Sequence, residues 1–251
     1  MTKNIWITGA SSGIGKALAI KFANEGWQVA ASARRENLLQ ELNKENPNIL
    51  SFPLDVTDGS LCKKVFNNIV EKFQIIDICV FCTGIHDPQS EKKVSEEKIR
   101  EIMEVNFFGT LNCIMAVNNC FREKQSGHIS IVSSVAGYRG FPAASGYCAS
   151  KAALTSLAES LYFDFKRYNV RVSLISPGFI KTPMTDKNKF PMPMIKSAEY
   201  AAEKMFVGLT KQNVFEIHFP KTLTMIMKLL KIIPNWLFFL IVGRGIKKIK
   251  Y

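Results

Sequence analysis

The sequence has few acidic residues, and none follows Glu216. Aspartate and glutamate number 21 against 33 lysines and arginines, which leaves a formal net charge of +12. The cations beyond that glutamate are Lys221, Lys228, Lys231, Arg244, Lys247, Lys248 and Lys250. A strongly basic chain can bind nucleic acid, a membrane surface or anionic ligands. Because over half of the surplus lies in the tail, we expect no nucleic-acid partner.

The tail also lacks an apolar run long enough to cross a membrane. Its uncharged stretch Ile232–Gly243 has 12 residues and contains Pro234, whereas a spanning helix needs about 20. We therefore divide the chain into a main domain, residues 1–220, and a basic hydrophobic extension, residues 221–251. Two interpretations of the extension stay open. It is an amphipathic element on an anionic membrane surface, or a helix pair packed on the body or on another subunit.

The features of a secreted protein are missing as well. The six cysteines lie in or beside apolar segments or open a helical pattern, which is typical of a reducing compartment rather than of a disulfide framework. Cys79 and Cys82 form a C-x-x-C, but no thioredoxin-like helix start accompanies them, so both are interpreted as core residues. The apolar run Ile5–Ala10 leads at once into glycines and a helix, unlike a signal peptide. We expect a cytoplasmic protein, whose tail would meet the inner face of the membrane.

Short apolar segments alternate with helical patterns along most of the chain. The predicted strands are Asn4–Thr8, Trp27–Ala33, Ile49–Leu54, Ile76–Cys82, Gly127–Ser133, Val170–Ser176 and Val214–His218. The predicted helices are Gly13–Glu25, Glu36–Lys44, one from an N-cap at Asp58 to Phe73, Glu96–Arg122, Ser145–Tyr168 and Ser197–Leu209. Such alternation predicts an α/β fold, a doubly wound Rossmann-type parallel sheet of about seven strands with helices on both faces. Ligands of such sheets bind beyond the carboxyl ends of the strands.

A glycine-rich segment, Thr8–Gly15, separates the first strand from the first helix. Glycine suits a tight turn or a close backbone approach, and a helix N-terminus offers free N–H groups to a pyrophosphate. A plain strand-to-helix turn is the alternative. The candidate phosphate-binding residues are Gly9, Ser11, Ser12, Gly13, Ile14 and Gly15. Their spacing, Thr-Gly-x-x-x-Gly-x-Gly, resembles that of the short-chain dehydrogenase/reductase family, and the resemblance covers about residues 3–218.

The end of the second strand predicts which nicotinamide dinucleotide is bound. Proteins that prefer NAD usually carry an acid there for the ribose 2′-hydroxyl, but this chain has Ala33 followed by two arginines. An arginine pairs with a 2′-phosphate, so the predicted cofactor is NADP(H), with Arg34 as its contact. Alternatively, both arginines begin a solvated helix. In similar proteins Asp55 contacts the adenine and the backbone N–H of Val56 assists, although Asp55 could only cap its own turn.

Tyr147 and Lys151 are four residues apart at the start of a helical pattern, so both project from one face. A tyrosine with an ordinary pKa near ~10 becomes a useful acid or base when a cation stabilises its phenolate. Ser134 follows the fifth strand at the same sheet edge and can hold the substrate oxygen. The family places its catalytic hydroxyl on the second serine, which favours Ser134 over Ser133. The resemblance adds Asn106 as a fourth catalytic residue that holds a proton-relaying water, and it implies that Tyr147 and Lys151 also contact the cofactor.

Two loops carry further family motifs. Pro177, Gly178, Ile180 and Thr182 match the loop that lines the nicotinamide, although Pro-Gly is also an ordinary turn signal. The family's Asn-Asn-Ala-Gly after the fourth strand reads Phe-Cys-Thr-Gly here, so only Gly84 is retained. The missing asparagines remove side chains that would support the cofactor wall, while backbone contacts could survive.

The resemblance implies hydride transfer between the nicotinamide and a carbonyl or alcohol. The segment Thr182–Met194 resembles a mobile lid, and its apolar members Met184, Phe190, Met192 and Met194 favour a small apolar substrate, although a lid packed on its own core would look the same. Homo-oligomers, dimers or tetramers, are common in the family. No metal site is predicted. The alternatives are a non-catalytic cofactor-binding or membrane scaffold, and a sugar-nucleotide epimerase or dehydratase, whose chains are usually longer.

Overall fold

The computed structural model describes residues 3–88 and 93–247. The strands are β1 (Asn4–Thr8), β2 (Gln28–Ser32), β3 (Ile49–Ser51), β4 (Ile78–Phe81), β5 (Gly127–Val132), β6 (Val170–Pro177) and β7 (Glu216–Phe219). The helices are α1 (Gly13–Asn24), α2 (Glu36–Glu45), α3 (Gly59–Phe73), α4 (Glu96–Met103), α5 (Gly109–Lys124), α6 (Ser145–Lys166), α7 (Ala198–Lys211), α8 (Lys221–Ile232) and α9 (Asn235–Lys247). A π-helical turn, Glu104–Phe108, joins α4 to α5.

The seven strands form one sheet in the order β3-β2-β1-β4-β5-β6-β7. Every neighbouring pair is parallel. The strand order reverses between β1 and β4, which is the switch point where such sheets bind ligands. The predicted doubly wound, Rossmann-type parallel sheet is confirmed.

Two hydrophobic cores lie on opposite faces of this sheet. In β1, Ile5 and Ile7 pack into the core covered by α1, α2 and α7. Trp6 packs into the core covered by α3, α5 and α6. All three side chains are fully buried, and each contributes about 1.5–3 kcal/mol of burial free energy. Both faces of the sheet are therefore covered by helices.

Several predicted boundaries needed correction. The third strand ends at Ser51 rather than Leu54, although the N–H groups of Phe52 and Leu54 still donate to the β2 side of the sheet. The seventh strand is Glu216–Phe219 rather than Val214–His218. The predicted long helix from Glu96 is interrupted by the π-helical turn. The predicted N-cap is confirmed, because the Asp58 carboxylate accepts from the Leu61 N–H at 2.9 Å.

The extension forms two helices, and each has side chains packed on the body. Leu223 and Thr224 of α8 are buried, and the Thr224 hydroxyl lies 2.6 Å from Nδ1 of His218. Phe238 of α9 is buried against Phe141 and under the Arg139 guanidinium. The inner faces of α8 and α9 thus belong to the folded body.

Candidate active site

The glycine-rich turn after β1 is built for close approach. Gly9 has φ +70°, and a Cβ there would lie 3.0 Å from the Cys82 carbonyl carbon. A Cβ on Gly15 would lie 2.3 Å from the Gly9 carbonyl oxygen. No side chain fits at either position, so the turn stays tight and α1 begins at the strand end. The N-terminus of α1 then faces a cavity of about 320 Å³, which the predicted phosphate-binding residues line.

Arg35, rather than Arg34, reaches back to this turn. One Arg35 guanidinium nitrogen donates to Ser11 Oγ and to Ser12 Oγ, both at 2.8 Å. Arg34 points toward Asp55, with 4.0 Å between guanidinium nitrogen and carboxylate oxygen. Both arginines line the cavity. Sequence reasoning passed over Arg35, and no local signal distinguishes two adjacent arginines at the start of one helix.

Asp55 caps its own turn, as the alternative interpretation allowed. Its Oδ1 accepts from the backbone N–H of Thr57 at 3.0 Å and from the Thr57 hydroxyl at 2.8 Å. Asp55 and Val56 nevertheless both line the cavity. The residue therefore combines a local structural task with a position on the predicted adenine side.

Lys151 and Tyr147 lie on the first turns of α6 and line the same cavity as the glycine turn. The Lys151 Nζ donates to the Val132 carbonyl at 2.9 Å and lies 5.7 Å from the centre of the Tyr147 ring. Burial lowers the pKa of the Lys151 ammonium to about 8. A partly desolvated cation thus lies beside a phenol at the sheet edge.

The two serines after β5 have different surroundings. The Ser133 hydroxyl donates to the Lys151 carbonyl at 2.8 Å and lies 3.0 Å from the Thr155 hydroxyl, which ties β5 to α6. The Ser134 hydroxyl accepts from the Ala136 N–H at 3.1 Å and lines the cavity with Tyr147. This arrangement is compatible with the choice of Ser134 as the reacting serine.

Asn106 is fully buried in the π-helical turn. Its Oδ1 accepts from the Ile85 N–H at 2.7 Å, and its Nδ2 donates to the Ile85 carbonyl at 3.1 Å and to the Ser150 hydroxyl at 3.0 Å. The side chain therefore holds the segment after β4 against α6. π-Helical turns frequently occur at functional sites, but this one was not visible in the residue spacing.

The segment after β4 contacts both β1 and α6, although it lacks the family's asparagines. The Cys82 N–H donates to the Thr8 hydroxyl at 3.1 Å, which ties it to the end of β1. A Cβ on Gly84 would lie 3.5 Å from the Lys151 Nζ. Two residues on, the His86 ring stacks on the Tyr147 ring, with 4.3 Å between centroids. His86 was not among the predicted site residues, since only the fold brings it to the tyrosine.

The loop after β6 closes the other side of the cavity. The residues predicted to contact the nicotinamide, Pro177, Gly178, Ile180 and Thr182, all line it. A Cβ on Gly13 would lie 3.1 Å from the Thr182 methyl group, so this loop touches the glycine turn. The predicted cofactor residues thus surround one cavity from six separate segments.

A family model of the short chain dehydrogenases matches residues 3–193. The chain belongs to the short-chain dehydrogenase family. An uncharacterized oxidoreductase of Myxococcus xanthus is 34% identical over 236 residues, which cover 92% of this chain and 93% of that protein. The 3-oxoacyl-(acyl-carrier-protein) reductase FabG of Thermotoga maritima is 36% identical over 185 residues, covering 72% and 75%.

Among solved structures, this short-chain dehydrogenase is similar to an alcohol dehydrogenase of the archaeon Thermococcus sibiricus complexed with 5-hydroxy-NADP. The TM-score is 0.76 at 26% identity, and the match covers 87% of this chain and 96% of that one. Together with the family match, these findings identify the protein as an oxidoreductase.

A second cavity of this short-chain dehydrogenase, of about 400 Å³, is also lined by Ser134 and Tyr147. Met184 and Phe190 of the predicted lid line it as expected. The expectation was wrong for Met192 and Met194, which lie outside the lining, and Met194 is 44% exposed. The pattern of apolar residues could not predict which of them line the cavity. The segment contains only one turn of 3-10 helix and otherwise follows an irregular path.

No helix within residues 3–88 and 93–247 is long and apolar enough to cross a membrane.

Proposed function

We propose that the protein is an NADP(H)-dependent oxidoreductase that moves a hydride between the nicotinamide and a carbonyl or alcohol of an apolar substrate. One observation carries the proposal. A single cavity at the carboxyl ends of the parallel strands is lined by two predicted sets of residues. One set is the proton-handling residues Ser134, Tyr147 and Lys151, and the other is the phosphate-binding residues of the glycine-rich turn, which we call the phosphate turn.

The first cavity, of about 320 Å³, has features that support binding of a dinucleotide with a 2′-phosphate. Its turn admits no Cβ at Gly15, so backbone N–H groups at the start of α1 are accessible to a pyrophosphate. Arg34 and Arg35 both line the same cavity and can pair with a 2′-phosphate. Asp55 and Val56 would hold the adenine side, and Gly84, Pro177, Gly178, Ile180 and Thr182 the nicotinamide side. When bound, NADPH supplies the hydride that a carbonyl carbon accepts.

In this proposal Tyr147 donates a proton to the substrate oxygen in reduction and removes it in oxidation. The Lys151 ammonium favours the phenolate because opposite charges close together lower the pKa of an acid. The Ser134 hydroxyl holds the substrate oxygen in the second cavity. Asn106 keeps the segment Gly84–Ile85 in place and is assigned a relay water beside the lysine.

The proposal also includes the substrate class, the cellular compartment and the oligomeric state. Its cavity of about 400 Å³ is lined mostly by apolar side chains, which supports a small apolar substrate. We assign the enzyme to the cytoplasm, as a homo-oligomer of two or four copies, with the basic extension on the inner face of the membrane. All six cysteines are free, which suits a reducing compartment.

The decisive test is Tyr147→Phe, assayed as NADPH oxidation with apolar ketones and aldehydes. Removal of the proton donor should lower kcat by about a hundredfold or more, while NADPH binding, followed by nucleotide fluorescence, should persist. Tyr162→Phe is the matched control, because this tyrosine lies on the same helix and is 38% exposed. Turnover by Tyr147→Phe equal to that of the wild type would refute the assigned proton transfer.

A further inference from the structure

The outer surfaces of α8 and α9 expose many large apolar side chains. The exposed set is Met225, Ile226, Leu229, Ile232, Trp236, Phe239, Leu240 and Ile241. Ile232 is 76% exposed, Trp236 69% and Phe239 67%. Scattered exposed hydrophobic residues are normal, but such a concentration within 17 residues indicates a surface that is covered by an apolar partner. We call this set the apolar tail surface.

The same two helices also contribute apolar side chains to the substrate cavity. Leu223 and Met227 of α8 and Val242 of α9 line it together with Ser134 and Tyr147. Each helix is therefore apolar both toward the cavity and toward the outside. A helix that is apolar on both sides is buried or lies against an apolar medium.

The charge around the apolar tail surface favours an anionic medium. Lys221, Lys231 and Arg244 are exposed on the same helices, and the sequence has no acidic residue after Glu216 to balance them. Exposed apolar side chains flanked by cations are typical of helices that lie in the headgroup region of an anionic bilayer. A second copy of this chain would bring the same cations together, which disfavours self-association through this surface.

We propose that the substrate is a membrane-resident lipid bearing a ketone or secondary alcohol, which passes from the bilayer into the cavity walled by α8 and α9. The inference rests on the proposed hydride transfer and adds the source and class of the substrate. The carbonyl end of the lipid reaches Tyr147 and Ser134, and its alkyl chain follows Leu223, Met227 and Val242 toward the bilayer. NADPH is the reductant, and the ketone leaves as the alcohol.

The test uses the full-length protein and vesicles of equal parts phosphatidylglycerol and phosphatidylcholine, with pure phosphatidylcholine vesicles for comparison. Co-sedimentation should be strong on the anionic vesicles and weak on the neutral ones. A long-chain methyl ketone held in the vesicles should be reduced at least about tenfold faster on anionic vesicles, since affinity rises with the attraction of the cations. Cyclohexanone, a water-soluble ketone, should be reduced at the same rate with either vesicle.

Phe239→Ser should lower vesicle affinity at least about tenfold, the value expected for one phenylalanine removed from an apolar phase. It should slow reduction of the long-chain ketone by the same factor and leave the rate of cyclohexanone reduction unchanged. Phe163→Ser is the matched control, because Phe163 is 71% exposed on α6 and packs on a neighbouring aromatic ring as Phe239 does. It should not change vesicle binding.

The outcomes separate the two proposals. Cyclohexanone could still be reduced while the long-chain ketone is reduced no faster on anionic than on neutral vesicles. That result would overturn the membrane-resident substrate but not the proposed hydride transfer. A dimer that Phe239→Ser dissociates, with no vesicle binding, would show that a second copy covers the apolar tail surface and would also overturn it. Vesicle binding without reduction of any ketone would instead overturn the proposed function.

Discussion

Arg34 and Arg35 are neighbours in the chain but reach different partners. The Arg35 guanidinium already lies on the serine hydroxyls of the phosphate turn, whereas Arg34 lies near Asp55 and its side chain is 66% exposed. A cation placed on the turn before the cofactor arrives needs little rearrangement to meet a phosphate. At the scale of single residues, we propose that these two side chains decide the nucleotide preference.

We predict that Arg35→Met raises the KM for NADPH about tenfold, equivalent to about 1.4 kcal/mol. Arg34→Met should raise it less, because its guanidinium is farther from the turn. Each variant should raise the KM for NADH less than the KM for NADPH, because NADH has no 2′-phosphate. Initial rates with both nucleotides provide the measurement, and a larger effect of Arg34→Met would reverse the assignment.

At the scale of elements, one carboxylate adds to the contacts that hold α8 on the sheet edge. Glu216 of β7 accepts hydrogen bonds from the Tyr138 hydroxyl, from the Ser176 hydroxyl at 2.8 Å and from the Lys228 ammonium of α8. Burial alone would raise the pKa of Glu216, but the hydrogen bonds from Lys228, Tyr138 and Ser176 outweigh it and lower the pKa. The ionised carboxylate therefore couples β7 to the helix that lines the second cavity.

We predict that Glu216→Gln lowers the free energy of unfolding by about 1–3 kcal/mol, because Lys228 loses its charged partner. Combining it with Lys228→Met should cost less than the two single changes summed, with a coupling of about 0.5–3 kcal/mol in urea denaturation. Lys231→Met, an exposed change on the same helix, is the control and should be nearly neutral. Strictly additive effects would show that the ion pair does not anchor α8.

The lowered pKa of Glu216 also determines how stability changes with pH. The unfolded carboxyl binds protons more readily than the folded one, so this contribution is present above the usual pKa of 4.5 and is lost as the pH falls through the lowered folded value. Detachment of α8 in acid would open the second cavity, which α8 helps to line.

At the scale of the whole molecule, burial of Lys151 makes stability depend on pH in the alkaline range. The folded ammonium has a pKa of about 8, against 10.5 as the ordinary value. Between these pH values the unfolded chain holds a proton that the folded chain has released, so the free energy of unfolding rises with pH. The buried charge therefore lowers the free energy of unfolding at neutral pH, where the proposed mechanism needs that charge.

We predict that the wild type gains about 3 kcal/mol relative to Lys151→Met as the pH rises from about 8 to 10.5. The difference between the two proteins isolates this lysine from all other titrating groups. Urea denaturation at several pH values measures it, and Lys166→Met, an exposed lysine on the same helix, should behave as the wild type. Parallel curves for the wild type and Lys151→Met would contradict a perturbed lysine.

The amino-acid sequence by itself determined the order of strands and helices, the parallel sheet and the position of the glycine turn. These properties are local or periodic: a buried strand is continuously apolar, and a turn without room for a Cβ requires glycine at set spacings. The pair Tyr147 and Lys151 was readable for the same reason, because one helical turn brings them together whatever else the fold does.

Only the tertiary structure decided which of two arginines meets the phosphate turn, that His86 stacks on Tyr147, and that Asn106 lies in a π-helical turn. It also decided that α8 and α9 line the second cavity while keeping an apolar outer surface. Each of these depends on contacts between residues far apart in the chain. Such contacts follow from how helices and loops pack over the sheet edge, and no local pattern of residues encodes them.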